Sequence, residues 1–331
     1  MLKYLRQFQV ESENICCCCI REDSFSFLGN IIEGRGSFFK RIRLARGSAG
    51  WYNQPEKTRR EGTATEKAKA LLFFDIDGTL FDDGSRLPAS VRPALEKARE
   101  NGCLLFLNTG RTICNMDPRL KDLPWDGMVT GCGTRVTCRG KTLRMLEYPL
   151  PDSLRIREMI SRSGVPAVYE CDTAMYFDPA YARLEVIGRF RKFSDNAGIA
   201  RDIREDDPEF RAVKMFCFAD TEEPIRKVLA ELKDAGYPYE AIDRGRGGWE
   251  IVPAGCSKAG GIEIIREELG VPLADCYAFG DGPNDLAMLE HVPNSIAMGN
   301  APEEIREKCA FVTDRPENDG IEKALLSLGL I

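Results

Sequence analysis

Two carboxylates that follow an apolar run indicate a cation-binding site in this chain. Residues 70–74 are apolar, and Asp75, Ile76 and Asp77 come directly after them. Side chains alternate along a strand, so Asp75 and Asp77 leave on the same side. Each anion raises the cost of ionising the other, and an oxygen-binding ion such as Mg²⁺ removes that cost. Gly78 permits a sharp turn; an Asp-rich turn without an ion is the alternative for this segment alone.

The second candidate segment is the end of the apolar run 104–107, which leads to Asn108, Thr109 and Gly110. Loops beyond the C-terminal ends of parallel strands line the ligand crevice of an open α/β sheet. The Thr109 hydroxyl and the nearby backbone N–H groups would therefore face the same cleft as Asp75 and can hold a phosphate oxygen. Taken alone, this segment is better interpreted as a plain turn.

The third candidate is Lys258, which follows Ser257 at the start of a predicted helix. A cation there is repelled by the helix dipole by ~0.3–1 kcal/mol. A phosphate group would reverse the sign, because helix N-termini and lysine both attract it. A solvated surface lysine is the alternative while Lys258 is considered by itself.

The fourth segment reads Gly-Asp-Gly-Pro-Asn-Asp over residues 280–285 and follows another apolar run. Asp281 can complete the metal site, and Asn284 and Asp285 can orient ligands or a ligand-bound water. Pro283 suits the first turn of a helix, where Asp285 would also be a favourable charge. A chance occurrence of these six residues after a buried strand would be unusual.

In this order the four segments resemble the motifs of the haloacid dehalogenase (HAD) superfamily of aspartate-nucleophile phosphohydrolases. The Gly-Asp-Gly-Pro-Asn-Asp form, with a large insert between Thr109 and Lys258, is similar to the Cof-type subgroup. The resemblance covers about 70–331 and does not extend to 1–68. It implies a Rossmann-like core with a large α/β cap over the site.

The resemblance also implies residue roles and an Mg²⁺ cofactor. Asp75 would attack phosphorus and form an aspartyl-phosphate, and Asp77 would protonate the leaving group and then deprotonate the attacking water. The implied metal-site residues are Asp75, Asp77 (through its carbonyl), Asp281 and Asp285. The implied phosphate-binding residues are Thr109, Gly110, Lys258 and Asn284.

The pattern of elements predicts an α/β fold with a doubly wound parallel sheet. Continuous apolar runs suit strands that are buried on both faces; these runs are 70–76, 103–108, 127–130, 276–280 and 310–313. Ser90 and Ser257 are candidate N-caps of intervening helices. We therefore assign 69–149 and 254–331 to the catalytic core, and treat 1–68 as a poorly ordered or peripheral extension.

Residues 150–253 have a different pattern and predict an inserted α+β cap domain. Asp152 and Thr221 can each open a helix. Strands are predicted within 166–177 and at 183–190, 212–218 and 248–252. The segment 244–249 offers two arginines and a tryptophan to a sugar or a second phosphate, or is simply a hairpin loop.

Composition limits the classes of protein that this chain can belong to. The chain has 331 residues and a formal net charge of −6. Residues 1–68 hold 12 basic and 8 acidic residues, so the main body is acidic, which argues against a nucleic-acid partner. No apolar stretch approaches the ~18–20 residues of a membrane helix, and the N-terminal residues lack a secretory layout. We expect no membrane partner.

The 13 cysteines favour a reducing compartment and hence a cytoplasmic location. Their odd number and irregular spacing argue against a disulfide framework. Four of them form the block Cys16–Cys19, and adjacent residues cannot easily present four ligands tetrahedrally. Unpaired thiols are the preferred interpretation.

The leading functional hypothesis is an Mg²⁺-dependent phosphatase acting on a small phosphorylated metabolite, either a sugar phosphate or a phosphorylated cofactor. A phosphomutase acting on a hexose phosphate would share the nucleophile. A non-catalytic, ligand-binding regulator on the same fold is a third hypothesis, and the intact Asp75 and Asp77 pair argues against it. The single histidine, His291, is expected in a packing or surface role. The sequence specifies neither the substrate nor the oligomeric state.

Overall fold

The structure is a computed structural model that describes residues 68–331. The predicted extension up to residue 67 and the Cys16–Cys19 block lie outside the described residues. The strands are β1 (Ala70–Phe74), β2 (Cys103–Asn108), β3 (Gly127–Thr130), β4 (Arg135–Cys138), β5 (Lys141–Met145), β6 (Ala167–Glu170), β7 (Met175–Phe177), β8 (Ala200–Asp202), β9 (Lys214–Phe218), β10 (Tyr239–Asp243), β11 (Gly248–Pro253), β12 (Cys276–Gly280), β13 (Asn294–Ala297) and β14 (Phe311–Val312). The α-helices are α1 (Val91–Glu100), α2 (Leu150–Arg162), α3 (Glu185–Asn196), α4 (Glu222–Asp234), α5 (Lys258–Leu269), α6 (Leu286–His291), α7 (Glu303–Arg306) and α8 (Gly320–Ser327).

The larger sheet has the strand order β14-β13-β12-β1-β2-β3-β4-β5, so β1 lies in its interior between β12 and β2. The strands from β14 to β3 in this order are parallel to their neighbours, whereas β4 and β5 pair antiparallel at one edge. The carboxyl ends of β1, β2 and β12 therefore lie side by side at one edge of the sheet.

Apolar side chains cover both faces of this sheet, which makes the fold doubly wound. All five residues of β1 are buried. On one face Phe74 packs in a cluster with Leu95 of α1 and Leu325 of α8. On the other face Phe73 packs with Ile262 of α5 and Met288 of α6. Helices therefore cover both faces of a mostly parallel sheet, as its continuous apolar strands predict. This confirms the predicted fold class.

The second sheet has the order β10-β11-β9-β6-β7-β8 and comes from the chain between β5 and α5. Its strands pair antiparallel except β7 with β8. Helices α2 and α4 pack on one face through Ile156, Ile160, Ile225 and Val228. On the other face Ile187 and Phe190 of α3 pack against Val168 and Phe216.

Several local predictions need correction. The strand predicted at 183–190 is wrong, because Glu185–Asn196 forms α3, whose buried residues Ile187, Phe190 and Ser194 recur at helical spacing. Strand β1 ends at Phe74 rather than at residue 76. Among the predicted N-caps, the Ser257 hydroxyl accepts a hydrogen bond from the Gly260 N–H, whereas Ser90 and Thr221 make no side-chain capping bond, and α2 begins at Leu150 rather than beside Asp152.

Two further findings concern the described residues as a whole. None of their helices combines the length and the apolar composition needed to cross a lipid bilayer. The cysteines between residues 68 and 331 are free thiols, and most of them are buried.

Candidate active site

The predicted site residues lie at the carboxyl ends of three neighbouring strands and at the start of one helix. Asp75 follows β1, Thr109 follows β2, and Asp281 follows β12. Lys258 is the first residue of α5. The strand order places these loops next to one another, since β1 pairs with both β2 and β12.

Lys258 joins two carboxylates from different loops. Its Nζ lies 2.5 Å from Asp75 Oδ1 and 2.5 Å from Asp285 Oδ1. All three side chains are buried, so Lys258 is not a solvated surface residue. The other oxygen of Asp285 accepts hydrogen bonds from the backbone N–H groups of Asp281 and Gly282, at 2.9 and 3.0 Å.

Asp281 is fixed next to this group by contacts that the sequence did not indicate. The Asn300 side-chain amide donates to Asp281 Oδ2 and to the Gly78 carbonyl, each at 2.9 Å. Gly78 has a φ of +80°, and a Cβ at this position would lie 2.1 Å from Asp281 Oδ2. The turn after β1 therefore requires glycine both for its backbone angle and for the approach of Asp281.

Carboxylate oxygens of Asp75, Asp281 and Asp285 all lie within 4.8 Å of one another. Burial and the Asp285 carboxylate raise the pKa of Asp75 to about 7, and Lys258 only partly offsets this. Burial and the carboxylates of Asp285 and Asp75 raise the pKa of Asp281 well above its usual range. Burial alone would lower the pKa of Lys258, but Asp285 and Asp75 raise it, so the ammonium stays charged.

This donor set fits a hard divalent cation. The Lys258 ammonium contacts only two of the three carboxylates, those of Asp75 and Asp285. When all three carboxylates are ionised the cluster has an excess of negative charge, which Mg²⁺ would neutralise with its preferred oxygen ligands. Asp75, Asp281 and Asp285 are the residues that would hold the ion.

The Asp77 carboxylate lies outside this cluster and pairs with Arg111. The guanidinium Nε and Nη2 donate to Asp77 Oδ2 and Oδ1 at 2.8 and 2.5 Å. Arg111 is buried, and its backbone N–H donates to the Thr109 hydroxyl at 3.1 Å. Arg111 stands directly after the Thr-Gly pair of the second motif, but nothing in the spacing assigned it a partner.

The remaining predicted phosphate-binding residues occupy two of the loops. Thr109 is buried directly after β2, and its neighbour Gly110 lies close to Glu250 of the second sheet. A Cβ at Gly110 would lie 3.2 Å from Glu250 Oε1 of β11. Asn284 is half-buried in the loop after β12, and it does not take part in the contacts of Lys258.

Segment 244–249 and His291 lie outside the cluster around Lys258. Residues 244–247 connect β10 to β11, and Trp249 lies in β11. Trp249 packs with the cluster under α2 and α4, and its Nε1 donates to the Ala219 carbonyl at 3.0 Å. The segment is therefore a hairpin connection, and a role of its arginines in substrate binding stays a prediction. His291 ends α6, and its Nε2 lies 2.6 Å from Glu263 Oε1, which agrees with the expected packing or surface role.

Comparison with known proteins identifies the family. Residues 72–325 match the family model described as haloacid dehalogenase-like hydrolase. The chain belongs to this family. It is 31% identical to the putative phosphatase YkrA of Bacillus subtilis over 265 residues, which cover 79% of this chain and 98% of that protein.

Two other similar proteins are also named phosphatases. An HMP-PP phosphatase of Yersinia enterocolitica is 27% identical and covers 76% of this chain and 92% of its own length. The solved structure of the HAD subclass IIB sugar phosphatase BT4131 is 27% identical, with a TM-score of 0.65 and coverage of 79% of this chain and 100% of that one. The chain is thus an enzyme, a HAD-type phosphatase of the Cof subgroup.

Proposed function

We propose that this enzyme hydrolyses the phosphate monoester of a small metabolite, with Mg²⁺ as cofactor and Asp75 as nucleophile. The observation that carries the proposal is the buried contact of Asp75 with Lys258, beside Asp281 and Asp285. The Asp75 carboxylate lies at the C-terminal end of a parallel strand, next to a fixed cation and a candidate divalent-ion site. This arrangement suits attack on an anionic phosphate.

The residues of the site have separate roles in the proposed reaction. Asp75 attacks phosphorus, and Lys258 holds a phosphoryl oxygen together with the Thr109 hydroxyl, the Gly110 backbone and Asn284. Bound Mg²⁺ supplies positive charge that screens the anionic nucleophile from the anionic phosphate. Breakdown of the aspartyl-phosphate by water then releases inorganic phosphate.

Asp77 is proposed as the general acid and base. The two hydrogen bonds from Arg111 fix the orientation of its carboxylate. A neighbouring guanidinium favours the ionised form of a carboxylate, which suits the step in which Asp77 takes a proton from the attacking water. Protonation of the leaving group requires that this pair loosen when substrate binds.

Residues 150–253 are proposed to act as a cap that excludes water and selects the leaving group. The names of the relatives support a sugar phosphate or a phosphorylated cofactor as substrate. A cytoplasmic location and the absence of nucleic-acid partners stay predictions.

A phosphate-release screen over phosphorylated metabolites tests the proposal. The wild-type enzyme should release phosphate with Mg²⁺ and lose activity in EDTA. Asp75→Asn should fold normally and lose turnover, because an amide cannot replace the nucleophilic carboxylate. Near-normal activity of this variant would reject the assignment. Isomerisation of a hexose phosphate in the presence of a bisphosphate activator, without phosphate release, would favour a phosphomutase.

A further inference from the structure

The loop after β13 brings a further segment of the chain to the candidate cation site. Strand β13 pairs in parallel with β12, so the two strands end at the same edge of the sheet, where β12 leads to Asp281. The pairing continues past the end of β13, because the Met298 N–H donates to the Gly280 carbonyl at 3.0 Å. Asn300 lies in this loop, and its side chain reaches Asp281.

The Asn300 amide joins the turn after β1 to the loop after β12. Its Nδ2 lies 2.9 Å from the Gly78 carbonyl oxygen and 2.9 Å from Asp281 Oδ2. A carbonyl oxygen can only accept a hydrogen bond, so the amide group that faces Gly78 must be the NH₂ group. This group has two N–H bonds and can donate to both partners at once. The Asn300 side chain therefore fixes Asp281 relative to the turn after β1.

The hydrogen-bond donors to the Asp281 side chain differ in charge from the donor to the rest of the cluster. Lys258 contacts the other two carboxylates with an ammonium group. Among the described residues, Asp281 accepts from the Asn300 amide and, at 3.5 Å, from the Thr79 hydroxyl. An amide and a hydroxyl orient a carboxylate without neutralising it, so the negative charge of ionised Asp281 remains for a cation.

The other polar atom of this amide indicates a bound group at the same place. Asn300 Oδ1 is buried and has no hydrogen-bond donor among the described residues. An unsatisfied buried acceptor costs about 1–3 kcal/mol, and native proteins pair most such atoms with the chain or with ordered water. Mg²⁺ usually keeps several water ligands when it binds to a protein. A water ligand of an ion at Asp281 would supply the donor.

We infer that Asn300 is a positioning residue of the cation site, which holds one oxygen of Asp281 so that the carboxylate binds the ion through the other, and which thereby favours Mg²⁺ over Ca²⁺. The inference rests on the proposed Mg²⁺-dependent function and adds a residue from outside the four candidate segments of the sequence. Mg²⁺ requires nearly ideal octahedral geometry, whereas Ca²⁺ accepts flexible geometry and carboxylates that bind through both oxygens. Asn300 takes no part in bond breaking.

Asn300→Ala removes both hydrogen bonds, and Asn294→Ala is the matched control. Asn294 lies at the other end of β13, and its Nδ2 also donates to two acceptors, the Ala274 and Cys276 carbonyls at 2.8 and 3.0 Å. Both substitutions remove an amide that links two segments, but of the two side chains Asn300 is the one that contacts a candidate metal ligand. Asn300→Ser is measured as well, because a hydroxyl can donate to one of the two partners only.

The apparent Kd values for Mg²⁺ and for Ca²⁺ are obtained, without substrate, from the shift in Tm of the full-length protein over a concentration series of each ion. Loss of a partner that orients a metal ligand typically weakens metal binding ~10–100-fold. The Kd for Mg²⁺ should therefore rise at least ~10-fold in Asn300→Ala and less than ~3-fold in Asn294→Ala. The Kd for Ca²⁺ should rise less than ~3-fold in both variants, because its coordination is flexible.

A second measurement separates positioning of the ion from a direct role in catalysis. Phosphate release by Asn300→Ala should need at least ~10-fold more Mg²⁺ for its half-maximal rate, whereas kcat at saturating Mg²⁺ should stay within ~3-fold of wild type. Asn300→Ser should show at least a ~3-fold rise in the Kd for Mg²⁺, and this variant keeps the test if Asn300→Ala does not fold.

Three results would overturn the inference alone, provided that the wild-type enzyme binds Mg²⁺. The first is a Kd for Mg²⁺ within ~3-fold of wild type in the folded Asn300 variants. The second is an equal loss of Mg²⁺ affinity in Asn300→Ala and Asn294→Ala. The third is an equal loss of affinity for Mg²⁺ and Ca²⁺ in Asn300→Ala. If the wild-type enzyme neither bound Mg²⁺ nor released phosphate with it, the proposed function would fail and the inference with it.

Discussion

At the scale of single residues, the site depends on a lysine placed where the local backbone disfavours it. Lys258 begins α5, and its charge opposes the helix dipole. Contact with Asp75 and Asp285 offsets this cost. The site therefore gains a preorganised cation whose position is fixed before the phosphate arrives.

Lys258→Ala should lower kcat/KM at least ~100-fold, because a desolvated phosphate would lose a fixed cation. The matched control is Lys97→Ala in α1, where the lysine is exposed and pairs with Glu100. Steady-state phosphate release measures both variants. A loss below ~3-fold in Lys258→Ala, in a protein that unfolds like wild type, would contradict the role of this lysine.

At the scale of elements, the turn after β1 determines how closely Asp281 approaches the nucleophile. Gly78→Ala should reduce kcat/KM at least ~10-fold and weaken Mg²⁺ binding, because the added methyl group would displace Asp281. Gly140→Ala is the control, since Gly140 also has a positive φ (+77°) but nothing lies within 4 Å of its Cβ position. Both variants should lose about 1–2 kcal/mol of stability to backbone strain, and only Gly78→Ala should lose activity. Equal activity of the two variants would show that Asp281 does not require this approach.

The sequence predicted those elements whose pattern is local. The apolar runs that end at Phe74, Asn108 and Gly280 each form a buried strand, and the polar residues after Phe74 and Gly280 meet at the site. The strand predicted at 183–190 is wrong because that window ends before Ser194, which completes the helical spacing of the buried residues Ile187 and Phe190; these two side chains pack on β6 and β9.

Contacts between distant segments were not predictable from sequence. Asn300 reaches Asp281 through the loop after β13, and Arg111 reaches Asp77 from the loop after β2. Lys214 contacts Glu170 and Glu250 because the second sheet has the order β11-β9-β6, which no short-range pattern in the chain specifies. Such partners became identifiable only when the strand order was known.

At the scale of the whole molecule, a proton and Mg²⁺ compete for the Asp75 carboxylate, where the loops after β1 and β12 meet. The pKa of Asp75 is raised from 3.8 to about 7. Without a cation, the protonated carboxyl therefore stabilises the fold fully below pH 3.8, and this stabilisation is lost as the pH rises through about 7. Mg²⁺ requires the ionised form, so its stabilising effect must grow over the same range.

The apparent Kd for Mg²⁺ should rise by about tenfold for each pH unit below 7, for one displaced proton. The measurement is the shift in Tm produced by Mg²⁺ across this pH range, with Asp75→Asn as the control in which the dependence is reduced. A Tm shift that is independent of pH would contradict a shared site for the proton and the ion.

Chemical trapping of the phosphorylated enzyme tests whether Asp75 is the nucleophile. The wild-type enzyme is mixed with substrate and Mg²⁺, quenched rapidly in acid, digested and analysed by tandem mass spectrometry. We expect a phosphoryl group on the side chain of Asp75, and none in the Asp75→Asn variant. A phosphoryl group on any other residue, or turnover that proceeds with no phosphoryl group on Asp75, would contradict this role of Asp75.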